Sequence, residues 1–282
     1  MLRLNRRYLI GALFASAVTR AAHALPLNKI KAKGSLRVAV YQDFEPWAWR
    51  RDGRLVGIDV DLARACASEL GVSVEFMELL AGEDVDEDLR NAVWRGPLIG
   101  GQPADVMMHV PYDRTFALRN DRVVIVAPYY RERFAMICDR NAVDCEMPPP
   151  QFKGQRLAAE LDSIPDFYLS GSFGGVLRND VAHLPSGAAA IEAVRSRQAV
   201  AAMATKAQVE HALFLGGDTM VERNGALPAL TSPGWDVGLA VKDDSRDLGD
   251  RLEAILALLQ SSGVLATIFA RYGVKAAAPL AG

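Results

Sequence analysis

The chain of 282 residues carries 32 Lys and Arg against 34 Asp and Glu, and half of its residues are hydrophobic. That apolar content is ample for a core and excludes a largely disordered chain, while a net charge of −2 gives no reason to expect nucleic acid as a partner. Beyond the first thirty residues no apolar run approaches the roughly twenty positions that span a bilayer, which excludes a polytopic membrane protein.

Residues 1–24 read as a signal peptide. Arg3, Arg6 and Arg7 form a positive start, Tyr8 to Val18 is apolar, and Ala22-His-Ala24 is a small-residue cleavage site. Eleven helical residues rise only about 16 Å, too little for a core of about 30 Å. Arg6-Arg7 also fits a twin-arginine signal. Cleavage after Ala24 takes away four arginines and no acid, leaving 28 basic and 34 acidic side chains and a net charge of −6. Export to the periplasm implies an oxidising compartment. Of the three cysteines, Cys66 lies in a helical pattern and reads as a buried thiol, whereas Cys138 and Cys145 are spaced to close a small disulfide loop. Their spacing matches no zinc pattern.

In chain order, Ser35 to Tyr41 alternates as a strand, and Gly57 to Gly71 has helical periodicity with Gly71 as its stop. Val72 to Leu79 is a strand, Asp84 to Trp94 a helix with acids in its first turn, and Ala104 to Val110 and Arg122 to Ala127 are strands. The proline run at Met147–Gln151 marks a seam. Ser163 caps a helix with Pro165 in its first turn. Ala188 to Arg197 is a helix, Ala199 to Ala204 a strand and Lys206 to Phe214 a helix. Trp235 to Val241 is a strand, and two helices follow, Leu248 to Gln260 and Leu265 to Tyr272. Strand and helix alternate, which gives an α/β class.

No dinucleotide, phosphate-loop, zinc-protease or nucleophile-elbow motif is present, and the mature chain keeps only His109, His183 and His211. No catalytic residue, metal or cofactor is therefore expected. Asp84-x-Asp86-x-Asp88 lacks the glycine and the twelfth-position acid of a calcium loop and suits a helix start. Tyr41, Phe44, Trp47 and Trp49 crowd just after the first strand, where open α/β sheets place ligands. Phe44 is expected to contact a ligand there. Trp47 reads either as lobe core or as part of the same wall. His109, near the end of its strand, is either a neutral side chain satisfied by backbone or a ligand contact with a pH-sensitive role.

Gly34-Ser-Leu-Arg-Val-Ala-Val, Asp43-Phe-Glu-Pro-Trp47, Asp52-Gly-Arg-Leu-Val-Gly-Ile-Asp-Val-Asp-Leu-Ala63 and Leu70-Gly-Val72 resemble the opening of the family 3 periplasmic solute-binding proteins. Arg119 with Pro128-Tyr-Tyr130, Glu192 to Gln198, and Gly234 to Asp244 are similar to later parts of that family. The resemblance implies a two-lobed periplasmic-binding-protein fold of type II. Its lobe 1 would be residues 25–133 with 236–282, its lobe 2 residues 134–235, and its hinge the strands Pro128–Ala135 and Trp235–Val241. It implies a monomer that captures a small polar or anionic solute for an ABC transporter and does no catalysis. Carried onto this sequence, it makes Arg119 or Arg114 the clamp for a ligand carboxylate. Ser163 and Lys206 would be the contacts from the second lobe, and Tyr41 and Tyr112 further wall residues. There are departures. Phe116 stands where amino-acid binders carry a threonine (Pro111 in the register that uses Arg114). Lys206 stands where they carry an acid, and Asp162-Ser163 replaces a Gly-Thr pair. A lysine there repels an ammonium group, so an amine-free carboxylate is the expected ligand. A narrower resemblance, through Trp94-Arg-Gly96 and Gly100 to Asp113, is to the branch found beside quinoprotein (PQQ-dependent) alcohol dehydrogenases. It implies, as an alternative, an accessory protein whose partner is a periplasmic dehydrogenase.

Overall fold

The structure is a computed structural model that describes residues 26–216, 219–232 and 234–280. The signal-peptide reading and its cleavage site lie outside these residues. A short helix α1 (Pro26–Lys33) leads into strand β1 (Ser35–Tyr41), and a hairpin of β2 (Trp49–Arg51) and β3 (Arg54–Val56) precedes helix α2 (Ile58–Leu70). Helix α2 stops where Gly71 turns left-handed at φ 74° and returns its N–H to the last turn, a conformation that costs glycine little. Its apolar stripe, including Leu62, Ala63, Cys66 and Leu70, is buried on the sheet.

Strand β4 (Ser73–Leu79) comes next, then α3 (Val85–Leu89), where Asp84 caps the helix by accepting Glu87 N–H at 2.7 Å. The single helix expected to Trp94 widens to a π turn over Arg90–Trp94, in which Arg95 N–H donates to the Arg90 carbonyl. Strand β5 (Val106–Pro111), α4 (Arg114–Arg119) and the long strand β6 (Val123–Glu132) follow. One residue later the chain enters β7 (Phe134–Asp139), then β8 (Leu157–Glu160), α5 (Ile164–Gly171), β9 (Val181–Leu184), α6 (Gly187–Arg195), β10 (Ala201–Thr205), α7 (Lys206–Phe214) and β11 (Met220–Glu222). Strand β12 (Trp235–Lys242) leads into α8 (Arg246–Ser261) and α9 (Val264–Arg271).

These strands make two separate five-stranded sheets, one per lobe. The first has the order β4-β1-β5-β12-β6 and the second β11-β7-β10-β8-β9. Among the described residues the chain crosses between them where β6 runs into β7 and where it returns into β12. At the crossing the two strands pair antiparallel, Trp235 opposite Glu132 and Asp236 opposite Arg131. Arg131 and Asp236 also form a buried ion pair at 3.1 Å. The proline run is no seam. Pro149–Phe152 forms a short 3₁₀ turn inside the second lobe, and Phe152 is fully buried in that lobe's core. The crossing lies instead at 132–134, where β6 gives way to β7 across the single residue Arg133 and no turn signal marks the passage from one sheet to the other.

Cys138 and Cys145 are joined by a disulfide with their Cα atoms 5.7 Å apart. Arg223 braces the loop from outside by donating to the carbonyls of Cys145 and Met147. Cys66 is a free, buried thiol whose pKa burial pushes up to about 12. A thiol reagent should therefore titrate no thiol in the native protein at pH 8, one after denaturation without reductant, and three after reduction. Three thiols before reduction would exclude the bond.

Candidate functional site

A cavity of about 350 Å³ opens between the two sheets. The first lobe supplies Phe44 and Pro111, the crossing segments supply Phe134 and Trp235, and the second lobe supplies Glu160, Ser163, Ile164, Met203, Thr205 and Gln208. Phe44 is held by the turn after β1, where its N–H donates to Ala48 O at 2.8 Å and its own carbonyl accepts Trp47 N–H at 2.7 Å. The rings of Phe134 and Trp235 lie 5.1 Å apart. The floor is polar. Three helices begin here, each closed by its own cap: Ser163 on α5, Ser186 on α6, and the Thr205–Gln208 capping box on α7. Glu160, at the C-terminal end of β8, accepts the Gly187 N–H at 2.9 Å through one oxygen. Burial pushes its carboxyl pKa upward, against that hydrogen bond.

Of the residues singled out from sequence, Phe44 and Ser163 line this cavity. Ser163 already spends its hydroxyl, donating to Glu160 O at 2.6 Å while accepting Asp166 N–H. Trp47 and His109 lie behind Phe44. Trp47 is fully buried against Tyr130, Phe269 and His109 and belongs to the lobe core. The His109 ring sits 4.9 Å from that of Phe44, and its Nδ1 is 3.3 Å from Asp59 Oδ2, a carboxylate that also accepts the Tyr129 hydroxyl at 2.7 Å. A carboxylate, not the backbone, therefore faces that ring nitrogen. Tyr41 turns to Asp88, donating at 2.7 Å, and burial raises the pKa of both groups.

The cations lie elsewhere. Arg119 is exposed, 3.7 Å from Asp86, in a separate surface depression with Glu87, Arg90 and Trp94. Arg114 is exposed in the first turn of α4 and lines no part of the cavity. Lys206 is not among the residues lining the cavity; it lines an adjoining depression that shares Phe134 and is ion-paired to Glu222 at 2.6 Å and to Glu210 at 3.4 Å. The charge argument for an amine-free carboxylate thus loses its geometric basis, because that lysine is already neutralised by two acids. Tyr112 lines a different groove, beside Pro128, Glu253 and Pro279. The three aspartates of the calcium-like spacing are likewise in use: Asp84 as the cap, Asp86 accepting from Asn120, and Asp88 accepting from Tyr41.

Helix α7 also ties the lobes together. His211 is buried, with Nε2 at 2.9 Å from Glu45 Oε1 and Nδ1 at 2.6 Å from the Tyr272 carbonyl. Glu210 accepts Lys275 N–H at 2.8 Å. The turn that carries Phe44 is thereby fastened through Glu45 to the second lobe.

A sequence profile described as bacterial extracellular solute-binding proteins, family 3, matches residues 36–91. The chain resembles the family 3 solute-binding proteins. Solved structures share its fold. An ancestral cationic amino acid solute-binding protein, AncCDT-1, superposes with a TM-score of 0.69 at 19% identity, over 88% of this chain and 99% of that one. A second structure of AncCDT-1, described as a precursor of cyclohexadienyl dehydratase, gives a TM-score of 0.63 at 19% identity, over 88% of this chain and 99% of that one. An amino acid ABC transporter substrate-binding protein from Streptococcus pneumoniae, bound to L-arginine, gives a TM-score of 0.65 at 19% identity, over 88% of this chain and 98% of that one. No curated protein sequence matches the chain. At such identities the likeness establishes the two-lobed type II architecture and leaves the ligand to be argued from the cavity.

The cavity residues that sequence reasoning missed include Glu160, Phe134, Trp235, Met203, Thr205 and Gln208. Glu160 left a usable signal, an acid closing the apolar run Leu157-Ala-Ala159 three residues before a helix cap. That is the C-terminal end of a parallel strand, where α/β folds gather their ligand groups.

Proposed function

We propose that this is an exported solute-binding protein that encloses a small molecule between its lobes and delivers it to an ABC transporter in the membrane. The observation that carries the reading is the cavity itself, whose walls come from both lobes and from both crossing segments. A ligand there bridges the two lobes and adds to the contacts that α7 already makes with Glu45 and Tyr272, so binding favours the closed arrangement. A volume of about 350 Å³ suits a small solute and lies at the low end for ligand pockets. Binding rather than catalysis is the role proposed: among the described residues that line the cavity, Glu160 is the single acid or base, where a proton cycle usually employs a pair. Export is supported by the first 24 residues, and N-terminal sequencing of the secreted protein should begin at Leu25.

A thermal-shift screen of small metabolites on the purified protein tests the reading. A stabilising ligand should also reduce the radius of gyration in small-angle scattering. Phe44→Ala should weaken its binding by about tenfold, the worth of one aromatic wall. A ligand that stabilises Phe44→Ala as well as it does the parent would place the site elsewhere.

The accessory reading has one observation in its favour. Leu98 and Ile99, within the loop of the narrower resemblance, are exposed, Ile99 almost completely at 97%. Co-purification of a quinoprotein dehydrogenase with the parent, lost in Ile99→Ser, would favour it over transport.

A further inference from the structure

Taking the interlobe cavity as the ligand site, we infer that its ligand is an organic ammonium ion without a carboxylate, held by Glu160 among the rings of Phe44, Phe134 and Trp235.

The charge inventory of the wall is one-sided. Among the described residues no Lys or Arg side chain lines the cavity, and the one ionisable group on its wall is a carboxylate. The nearest lysine in sequence to the wall residues, Lys206, is held by Glu222 and Glu210 outside it. Helix N-termini are the usual alternative home for an anion. At this floor Ser163 and Ser186 each take one N–H of α5 and α6, the capping box closes α7, and Glu160 takes a further N–H of α6, which sets a negative charge at that terminus. A ligand carboxylate would therefore meet a like charge on Glu160 and no cationic side chain among the described lining residues.

A cation meets the reverse. Glu160 commits one oxygen to Gly187 N–H, and its other oxygen makes no hydrogen bond to the described residues. Its partly buried position weakens screening, so a charge partner there counts for more than at the surface. The same cavity is lined by three aromatic residues, whose ring faces can attract a cation, and by the sulfur-bearing side chain of Met203. Such a box accommodates a substituted ammonium group, whose methyl or methylene shell suits apolar walls. The positive charge removes the cost that burial imposes on Glu160.

Two probe series separate the possibilities by isothermal titration calorimetry on the whole mature protein. Each compares a cation, a neutral isostere and a carboxylate: benzylammonium, benzyl alcohol and benzoate; choline, 3,3-dimethylbutan-1-ol and betaine. In at least one series the cation should bind about tenfold or more tighter than both companions. Glu160→Gln, whose amide oxygen still accepts Gly187 N–H, should lower cation affinity about tenfold without lowering the melting temperature of the unliganded protein. Phe134→Leu should weaken the cation more than the neutral isostere. Tighter binding of benzoate or betaine, or equal cation affinity in Glu160→Gln, overturns the cation assignment and leaves the cavity a solute site. If no probe binds and a broad metabolite screen stabilises nothing, both the assignment and the solute-binding reading fall.

Discussion

The melting temperature should fall as the pH rises from 5 to 9, and Glu132→Gln should remove most of that fall. Glu132 is fully buried at the last position of β6, where the chain leaves the first lobe. One oxygen accepts Arg133 N–H at 2.9 Å and Ala207 N–H at 3.4 Å, and the other has no hydrogen-bond partner. Burial dominates these hydrogen bonds and pushes its pKa from an ordinary value of 4.5 to about 8. The folded state therefore holds this proton more tightly than the unfolded chain. Its contribution to stability is fully present below about pH 4 and is lost progressively as the pH rises to about 8. At about 1.4 kcal/mol per unit, the loss amounts to about 5 kcal/mol, or on the order of 10 °C in a protein of this size. Glutamine keeps the acceptor for both N–H groups and cannot ionise. Parallel pH curves for the parent and Glu132→Gln would show that the carboxyl is not the source.

Glu132 also shows why only part of this molecule could be read from its residues. A glutamate that ends a run such as Val-Ala-Pro-Tyr-Tyr-Arg-Glu reads as a solvent-facing strand end. Only the pairing of β6 with β12, and the start of α7 laid across it, buries it. Elements whose stability is local were legible. Strand β1 and helix α2 follow from periodicity and from Gly71, and the bounds expected for α7 are those found. Strands β8 and β9 were not, because four-residue parallel strands without a regular in–out alternation carry little pattern to find. The candidate site divides in the same way. The turn after β1 was legible because ligand walls gather at strand ends, and Phe44 is on the wall. The cations were misplaced because sequence position fixes where a backbone goes, not where a long side chain ends. Lys206 reaches Glu222, sixteen residues on and on a different strand, and no local pattern announces that partner.

Gly57→Ala should be among the most damaging single-methyl additions near the cavity. Gly57 sits before α2 at φ 138°, outside the range open to other residues, and an added Cβ would lie 2.0 Å from the Trp47 carbonyl oxygen. That carbonyl cannot give way cheaply. It accepts Asp59 N–H at 3.0 Å, fastening the first turn of α2 to the Phe44 turn, and the Trp47 ring is fully buried between Tyr130 and His109. Backbone strain and steric overlap together should cost about 3–5 kcal/mol. Gly71→Ala is the matched control. Its φ is also positive, at 74°, but nothing lies within 4 Å of its added Cβ, so strain alone should cost about 1–2 kcal/mol. Denaturant unfolding of the two variants separates close packing from backbone conformation. If Gly57→Ala is no less stable than Gly71→Ala, the Trp47 carbonyl has room to move, and the Phe44 turn is less firmly anchored than its hydrogen bonds indicate. If it is less stable by the expected margin, the same displacement should loosen Phe44 and weaken any ligand of the cavity, which joins the anchor of the fold to the wall of the site.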